Sequence, residues 1–321
     1  MLDLNNYAKW QKMSINRKSI AVFLGLIITL MSFSSYYEFA SNRINNRDSS
    51  ENISKKKIPL TSNYHSPISI LSNTDLDDFD NKTGSGTELD PYIIQDLIID
   101  GGGFFSTFII KDVTLYLTIR NLTIFNSLDY GFYIEDSPNL NLLSNKIYNN
   151  SDDGIFIDSY SGGGINITNN NIDNNMGEGI YLYYFGSSKM TINNNNIIDN
   201  SGNGIYLYYS DGAEVTIKNN TIKDNANNGI YLYRCDGAGF AILNNDITGN
   251  HDHGLSLYYS DYNKIIGNNI SDNLDNGLII WLSHHVNISY NFLSYQSRGI
   301  HLRDADYADI FNNIIIGRPF T

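Results

Sequence analysis

The strongest constraint on this chain is a glycine that recurs every 22 to 25 residues. Each glycine begins a short run in which apolar and polar side chains alternate, as in Gly204-Ile-Tyr-Leu and Gly229-Ile-Tyr-Leu. Alternation with a period of two residues is typical of a β-strand that buries one face. The repeat glycines are Gly131, Gly154, Gly179, Gly204, Gly229, Gly254, Gly277 and Gly299.

Each repeat also contains a second apolar alternation, such as Val215-Thr-Ile217, and an apolar residue five positions later, such as Ile222. Three strands this short cannot form a hairpin sheet with a core of its own. Each strand must therefore pair with the equivalent strand of the next repeat, which predicts a coil of parallel strands about 4.8 Å apart. A leucine-rich repeat would need an L-x-x-L-x-L register, which is absent.

Asparagine recurs at two fixed positions of the repeat. Stacked at rung spacing, one amide can donate to the next, and asparagine also tolerates the left-handed backbone of a sharp corner. We expect both columns to be structural. They are Asn145, Asn170, Asn195, Asn220, Asn245, Asn268, Asn291 and Asn313, and Asn150, Asn175, Asn200, Asn225, Asn250 and Asn273.

The unit G-I-x-L followed by I-x-N-N-x-I-x-x-N resembles the right-handed parallel β-helix repeats of the pectin-lyase-like superfamily, and most closely the NosD-type β-helix repeat. The resemblance implies an all-β fold, a single right-handed parallel β-helix solenoid of about ten rungs with three short strands per rung. The resemblance covers roughly residues 65–318, and we predict the β-helix domain over residues 65–321, with clear repeats over residues 131–318. This fold hosts lyases, hydrolases, epimerases and adhesins, so it does not indicate an activity.

Charge and cysteine content exclude several functions. Asp and Glu number 34 against 21 Lys and Arg, a net charge of −13, and such an acidic body repels nucleic acid. The single cysteine, Cys235, excludes an intramolecular disulfide and a four-thiolate metal site. No cofactor is expected, apart from the calcium considered below.

The N-terminus has the pattern of an export signal or membrane anchor. Four basic residues before position 19 precede an uncharged stretch over residues 19–37, long enough for a membrane-inserting helix. We therefore predict a signal peptide or anchor over residues 1–40 and a flexible linker over 41–64. The β-helix would then be extracytoplasmic, secreted or membrane-anchored at the cell surface.

The complete catalytic motifs of related enzymes, such as the D-P-H-D of alginate epimerases, are absent. Asp152-Asp153 is an isolated acidic pair whose side chains would point in opposite directions on a strand. The remaining catalytic candidates are Asp252 and His253, with Asp275 on the next repeat, and the alternative is that they are polar turn residues.

A column of acidic residues lies seven positions after successive repeat glycines. Stacked carboxylates repel one another unless they stay solvated or bind a cation, and calcium prefers such oxygen ligands. Asx turns are the alternative explanation. The calcium candidates are Asp211, Asp236, Asp261 and Asp306, with His284 in the same column.

Aromatic residues occupy the outward positions of the G-I-Y-L-Y-Y motif. Stacked rings can stabilise one another, or form an exposed patch that binds sugars or a protein partner. A further column at the strand end contains Tyr184, Tyr209, Arg234 and Tyr259. The candidate ligand-binding residues are Tyr181, Tyr183, Tyr206, Tyr208, Tyr231, Tyr233, Tyr258 and Trp281.

These patterns favour a non-catalytic surface protein that binds a polysaccharide or an envelope protein through its tyrosine-rich face. One alternative is a carbohydrate-active enzyme, a polysaccharide lyase or epimerase, on the same fold. Another is a structural spacer. The oligomeric state stays open at this point.

Overall fold

The computed structural model describes residues 63–317, except residues 104, 160–162, 187–188 and 237–239. The predicted signal or anchor over 1–40, including its hydrophobic helix, and nearly all of the predicted linker lie outside the described residues. Within the described part, no helix is long and apolar enough to cross a membrane.

Three parallel sheets form the sides of a coil, which confirms the predicted solenoid. Sheets A, B and C have 11, 10 and 10 strands, in agreement with about ten rungs. The chain visits sheet B, then C, then A in each rung, and every strand pairs in parallel with its equivalent one rung later. The one helix among the described residues is α1, Asn73–Asp78.

Sheet A consists of β1 (Tyr64–His65), β4 (Ile98–Asp100), β7 (Thr123–Phe125), β10 (Lys146–Tyr148), β13 (Asn171–Asp173), β16 (Asn196–Ile198), β19 (Thr221–Lys223), β22 (Asp246–Thr248), β25 (Asn269–Ser271), β28 (Phe292–Ser294) and β31 (Ile314–Ile316). Sheet B consists of β2 (Ile68–Ile70), β5 (Phe108–Lys111), β8 (Phe132–Glu135), β11 (Ile155–Asp158), β14 (Ile180–Tyr183), β17 (Ile205–Tyr208), β20 (Ile230–Tyr233), β23 (Leu255–Tyr258), β26 (Asn276–Trp281) and β29 (Arg298–Arg303). Sheet C consists of β3 (Tyr92–Gln95), β6 (Leu117–Arg120), β9 (Leu140–Leu143), β12 (Gly164–Thr168), β15 (Lys189–Asn193), β18 (Glu214–Lys218), β21 (Ala241–Leu243), β24 (Lys264–Ile266), β27 (Asn287–Ser289) and β30 (Asp309–Phe311).

The core confirms the predicted register. Ile205 and Leu207 on sheet B are fully buried, as are Val215 and Ile217 on sheet C, whereas Tyr206 faces outward. A shift of one residue would reverse every side chain, so this agreement fixes the outward face of each sheet.

The repeat glycine is required where two rungs approach closely. A side chain at Gly179 would collide with the carbonyl oxygen of Gly204, the amide of Asn200 and a methyl group of Ile197. The absence of a side chain therefore lets the rungs stack beside the asparagine column.

The asparagine columns form continuous ladders. Asn195 Oδ1 accepts the backbone N–H of Asn170 at 2.9 Å and its Nδ2–H at 3.0 Å. The other Nδ2 hydrogen of Asn170 is donated to the carbonyl of Leu142 at 2.9 Å. Buried polar groups are thus satisfied inside the coil, rung after rung.

One expectation about these asparagines is wrong. The ladder residues do not take the left-handed backbone conformation; the residue before each of them does, as at Asn169, Asn194 and Asn219, with φ of 59°, 56° and 55°. The corner and the ladder thus need two different residues, which explains why the Asn-Asn pair recurs.

Asn195→Ala should lower the free energy of unfolding by on the order of 2–4 kcal/mol, because two buried N–H groups of Asn170 lose their acceptor. Urea titration measures this. The control is Asn166→Ala, whose side chain makes an exposed hydrogen bond to Asn141 and should change stability by about 0.5 kcal/mol or less. Equal effects of the two substitutions would contradict a stabilising ladder.

Candidate functional site

The outward face of sheet B carries an aromatic array that we call the tyrosine strip. It has two columns, because outward positions alternate with core positions along each strand. All of the predicted ligand-binding residues are brought together here. The strip consists of Tyr181, Tyr183, Tyr206, Tyr208, Tyr231, Tyr233, Tyr258 and Trp281.

The first column is tightly stacked. The ring centroids of Tyr181 and Tyr206 lie 4.9 Å apart with planes 6° from parallel, and those of Tyr206 and Tyr231 lie 5.0 Å apart at 4°. Burial is the main cause of the raised pKa of all three phenols. These tyrosines therefore keep their protons at neutral pH.

The second column is longer and ends in a cation. Tyr183, Tyr208 and Tyr233 stack at 5.5 and 5.4 Å, and Tyr258 and Trp281 continue the series with tilted rings. The guanidinium of Arg303 lies 4.3 Å from the Trp281 ring centroid, a cation–π contact on the last rung of sheet B.

The strip differs in one respect from the expected open aromatic patch. Every ring of the strip is half-buried, because each ring lies against at least one neighbour in its column, and Tyr206 and Tyr208 have a stacked ring on each side. The ring faces are thus largely covered, and ring edges and phenol tips form the surface. The strip is better suited to hydrogen bonding and edge contacts than to stacking flat on a ligand.

A third column lies at the end of the sheet B strands, as predicted. Tyr184, Tyr209, Arg234 and Tyr259 all have positive φ, between 48° and 54°. Arg234 lies over the rings of Tyr209 and Tyr259, at 4.9 and 5.6 Å from their centroids. Such values are unusual for bulky residues, and the sequence pattern gave no sign of them.

The predicted calcium candidates form a column at the turn between sheets B and C. Asp211 Oδ1 accepts the backbone N–H of Asp236 at 2.9 Å, and Asp236 Oδ1 accepts that of Asp261 at 2.9 Å. His284 continues the column and accepts the N–H of Asp306 through Nδ1 at 3.0 Å. Asp211, Asp236 and His284 therefore each use one acceptor atom to hold the next rung. Calcium binding by this column stays a prediction.

A shallow depression of about 240 Å³ lies beside this column. It is lined by Asp236, Tyr259, Asp261, Leu282 and His284. It is separate from the predicted catalytic residues, which do not line it.

A second polar column occupies the position before each repeat glycine. Here Asp153 Oδ1 accepts the N–H of Glu178 at 2.6 Å, Glu178 accepts the N–H of Asn203, and Asn203 accepts that of Asn228 at 3.0 Å. His253 occupies the same position and accepts the N–H of Asn276 through Nδ1 at 3.2 Å. Aspartate, glutamate, asparagine and histidine thus all accept a backbone N–H of the next rung in this pre-glycine column.

The predicted catalytic candidates do come together around His253. Its Nε2 lies 3.6 Å from Asp252 Oδ1, and its Nδ1 lies 3.5 Å from Asp275 Oδ2. One ligand atom from each residue lies within 4.8 Å of the others, a spacing that a metal ion could use.

The hydrogen bond from Asn276 decides what His253 can do. Because Nδ1 accepts an N–H, the neutral ring carries its proton on Nε2. Metal binding at Nε2 would require the opposite tautomer, with the Nδ1 proton facing the N–H of Asn276. The arrangement therefore favours proton transfer at Nε2 over metal ligation.

An acidic group, which we call the carboxyl cluster, borders the tyrosine strip. It consists of Asp129, Asp152, Asp153 and Glu178. Burial raises the pKa of Asp152 to about 6 and that of Glu178 to about 7, and it raises the pKa of Asp153 well above its usual value. The nearby carboxyl group of Asp129 adds to the rise in the pKa of Asp152, and burial raises the pKa of Asp129 as well.

Two glycines outside the repeat position make room for this cluster. A side chain at Gly177 would collide with the carboxylates of both Asp152 and Asp153, so these two side chains do not diverge as predicted. Gly202 leaves the same space for Glu178. Sequence reasoning noted the Asp152-Asp153 pair but missed Asp129 and Glu178. The signal for Glu178 was an acid at the position before the repeat glycine, where the next two rungs have asparagine.

Comparison with known families identifies the fold independently. The family described as the right-handed β-helix region matches residues 15–212, 106–270 and 183–319, which together span most of the chain. The chain therefore belongs to the right-handed β-helix family. A search of curated proteins finds no match.

Several solved structures share the architecture. The A-module of mannuronan C-5 epimerase AlgE6 from Azotobacter vinelandii superposes with a TM-score of 0.56 at 17% identity, covering 71% of this chain and 74% of that one. The A-module of AlgE4 from the same organism gives 0.55 at 18% identity, covering 71% of each chain. A variant of the periplasmic alginate epimerase AlgG gives 0.58 at 17% identity, covering 70% of this chain and 59% of that one. At these identities the likeness shows the fold.

Glu178→Gln should make the protein more stable at pH 8 while changing little at pH 4. A carboxyl whose pKa is raised to about 7 in the folded state loses its proton there less readily than in the unfolded chain, where its pKa is about 4.3. The free energy of unfolding of the parent should therefore fall between these pH values, and the variant should lose this part of the fall. Urea midpoints from pH 4 to pH 8 measure the difference.

The control is Glu214→Gln, the same change at a carboxylate whose side chain is 64% exposed. It should leave the pH profile close to that of the parent. A profile of Glu178→Gln that runs parallel to the parent over the whole range would contradict a buried proton on Glu178.

Proposed function

We propose that this right-handed β-helix protein is a non-catalytic binding module that holds a linear, neutral glycan along the tyrosine strip. The observation that carries the proposal is the strip itself, seven tyrosines and a tryptophan in two continuous columns on one outward face. A surface of this kind, aromatic and regularly spaced, is typical of recognition sites rather than of inert surfaces.

The geometry supports a sugar polymer as the ligand. Successive phenol groups repeat at the rung spacing of about 4.8 Å, so an extended polymer of hydroxylated rings meets a donor and acceptor at each step. The solved structures with this fold include proteins named as alginate and mannuronan epimerases, which supports carbohydrate as the ligand class.

The net charge of −13 argues for a neutral ligand. A polyanionic polysaccharide would approach an acidic body against electrostatic repulsion. The carboxyl cluster beside the strip strengthens this argument at the end of the strip nearest Tyr181.

The proposal includes an extracytoplasmic location, with residues 1–40 as export signal or anchor and residues 19–37 inserted in the membrane. The N-terminal charge pattern supports it, as does the periplasmic protein among the structural neighbours. Recovery of the full chain in the soluble cytosolic fraction would contradict it.

Replacing Tyr208, Tyr233 and Tyr258 together by Phe should weaken glycan binding by about tenfold or more, because three hydroxyl groups are lost while the stacked rings remain. A glycan array identifies the ligand, and calorimetry compares the variant with the parent. The melting temperature should change little, since packing is preserved.

The control is Tyr148→Phe, the same change on the outward face of sheet A, which should leave binding unaffected. If the triple variant remains folded and binds like the parent, the strip is not the binding surface. Glycan binding that depends on added calcium would instead support the Asp211 column.

One arrangement favours a second function, a polysaccharide lyase or epimerase. His253 carries a proton on Nε2 beside the carboxylate of Asp252, and Asp275 lies on its other side. With Nε2 protonated and Nδ1 occupied by the N–H of Asn276, the imidazole can serve as the acid, and a flanking carboxylate can serve as the base that removes a proton at a sugar carbon.

His253→Asn tests the enzymatic alternative without disturbing the fold. Asn203 occupies the same ladder position and accepts the N–H of Asn228, so an asparagine at position 253 can accept the N–H of Asn276. If His253 is an acid or base, this change should lower turnover of an alginate oligomer at least about a hundredfold with an unchanged melting temperature. No turnover by the parent on any polysaccharide, or equal turnover by both, would exclude this role.

A further inference from the structure

The second column of the tyrosine strip is flanked by opposite charges. Extended by one rung at each end, its outward residues begin with an acid, continue with five aromatic residues and end with a base. Strand register places them one above another. In rung order they are Asp158, Tyr183, Tyr208, Tyr233, Tyr258, Trp281 and Arg303.

Among the residues that the structure describes, neither terminal charge has a strong partner of opposite sign. Asp158 is half-buried, and its pKa is raised first by burial and then by the carboxylates of Glu135 and Asp136. Arg303 lies 4.0 Å from Asp304, an exposed pair of the kind that contributes little. The acidic end would gain from a nearby cation and the basic end from a nearby carboxylate.

The series of outward residues from Asp158 to Arg303 is complementary to a second copy of itself that runs in the opposite direction. A two-fold axis through Tyr233 would place Asp158 of each copy opposite Arg303 of the other. The same axis would set Tyr183 against Trp281 and Tyr208 against Tyr258. A two-fold interface uses the same patch on both subunits, so a patch with opposite charges at its two ends meets this requirement.

We infer that two copies of this chain pair face to face, in antiparallel orientation, through the second column of the tyrosine strip. The ring edges would interdigitate at the centre, and the two Asp158–Arg303 pairs would close the ends. Aromatic residues and arginine are the types enriched at the centre of protein interfaces.

Pairing through this face also reduces the electrostatic repulsion between two acidic copies. With a net charge of −13 on each chain, most surfaces of two copies repel one another. The terminal Arg303 brings positive charge to the end of this face, and Arg298 and His301, with side-chain nitrogens 3.4 Å apart, lie on the same strand. Antiparallel pairing brings that end to the acidic end of the other copy.

The dimer goes beyond the proposed glycan binding and competes with it, because both use one face. A glycan that occupies the strip should therefore dissociate the dimer. The strip would be covered between two copies until a ligand is present, which protects its apolar ring edges from other contacts.

Sedimentation equilibrium of the full chain in a mild detergent tests the pairing. Asp158→Arg and Arg303→Asp should each weaken dimerisation by about tenfold or more, because each places like charges opposite one another. The double variant restores opposite charges in exchanged positions and should return the dissociation constant to within about threefold of the parent value. Circular dichroism confirms that each variant is folded.

All variants retain residues 19–37, so an association through that segment would not respond to the charge exchange. Only pairing through the second column of the strip should respond. Asp173→Arg, an outward carboxylate on sheet A, is the control and should leave the dimer unchanged. A parent that is monomeric at all concentrations, or a folded double variant that stays as weak as the single ones, would overturn the inference.

Glycan binding is then measured on Arg303→Asp at a concentration at which this variant is monomeric. Binding by this variant together with a monomeric parent would leave the proposed function standing and reject the dimer. If dimerisation follows the charge exchange but no glycan binds, the dimer stands and the proposed glycan binding is rejected.

Discussion

The structure depends on hydrogen bonds between consecutive rungs that are made by side chains as well as by the backbone. In the asparagine ladders, one amide oxygen accepts two N–H groups of the previous rung, as Asn195 does for Asn170. The hydroxyl of Ser260 does the same for the previous rung, accepting the N–H of Cys235 at 3.1 Å. In two other columns the bond runs the opposite way: the carboxylate of Asp236 and the imidazole of His253 accept an N–H of the next rung. The coil needs an acceptor at these positions and tolerates several chemical types.

Because the ladder positions accept several kinds of acceptor, ionisable side chains can occupy some of them. Asn203 satisfies the ladder without a charge, whereas Glu178 does so with a carboxyl group that burial keeps partly protonated. An acid at such a position adds a desolvation cost that the fold does not require. The carboxyl cluster and the His253 group are therefore the places where the sequence departs from the structurally simplest choice, and both lie along the edge of the tyrosine strip.

The repeat period was enough to predict the strand register, the core and both asparagine ladders, because a periodicity of two decides which side chains are buried. Other features depend on contacts across rungs or on backbone conformation. Thr107 occupies a repeat-glycine position on an early rung, so the glycine pattern did not reveal this rung. The approach of Asp152 and Asp153 above Gly177 is visible only when the stacking is known. The covered faces of Tyr206 and Tyr208 likewise follow from the spacing of neighbours, which composition does not report.

The ladders also bear on how such a protein can change over generations. Because each rung offers the next the same set of acceptors and accepts the same set of donors, a duplicated stretch of coding sequence one repeat long inserts a rung that joins both neighbours without a new interface. Point substitutions inside a ladder must preserve an acceptor, whereas the fold places no such requirement on the outward positions. Selection can therefore lengthen the molecule and alter its surface as two separate traits.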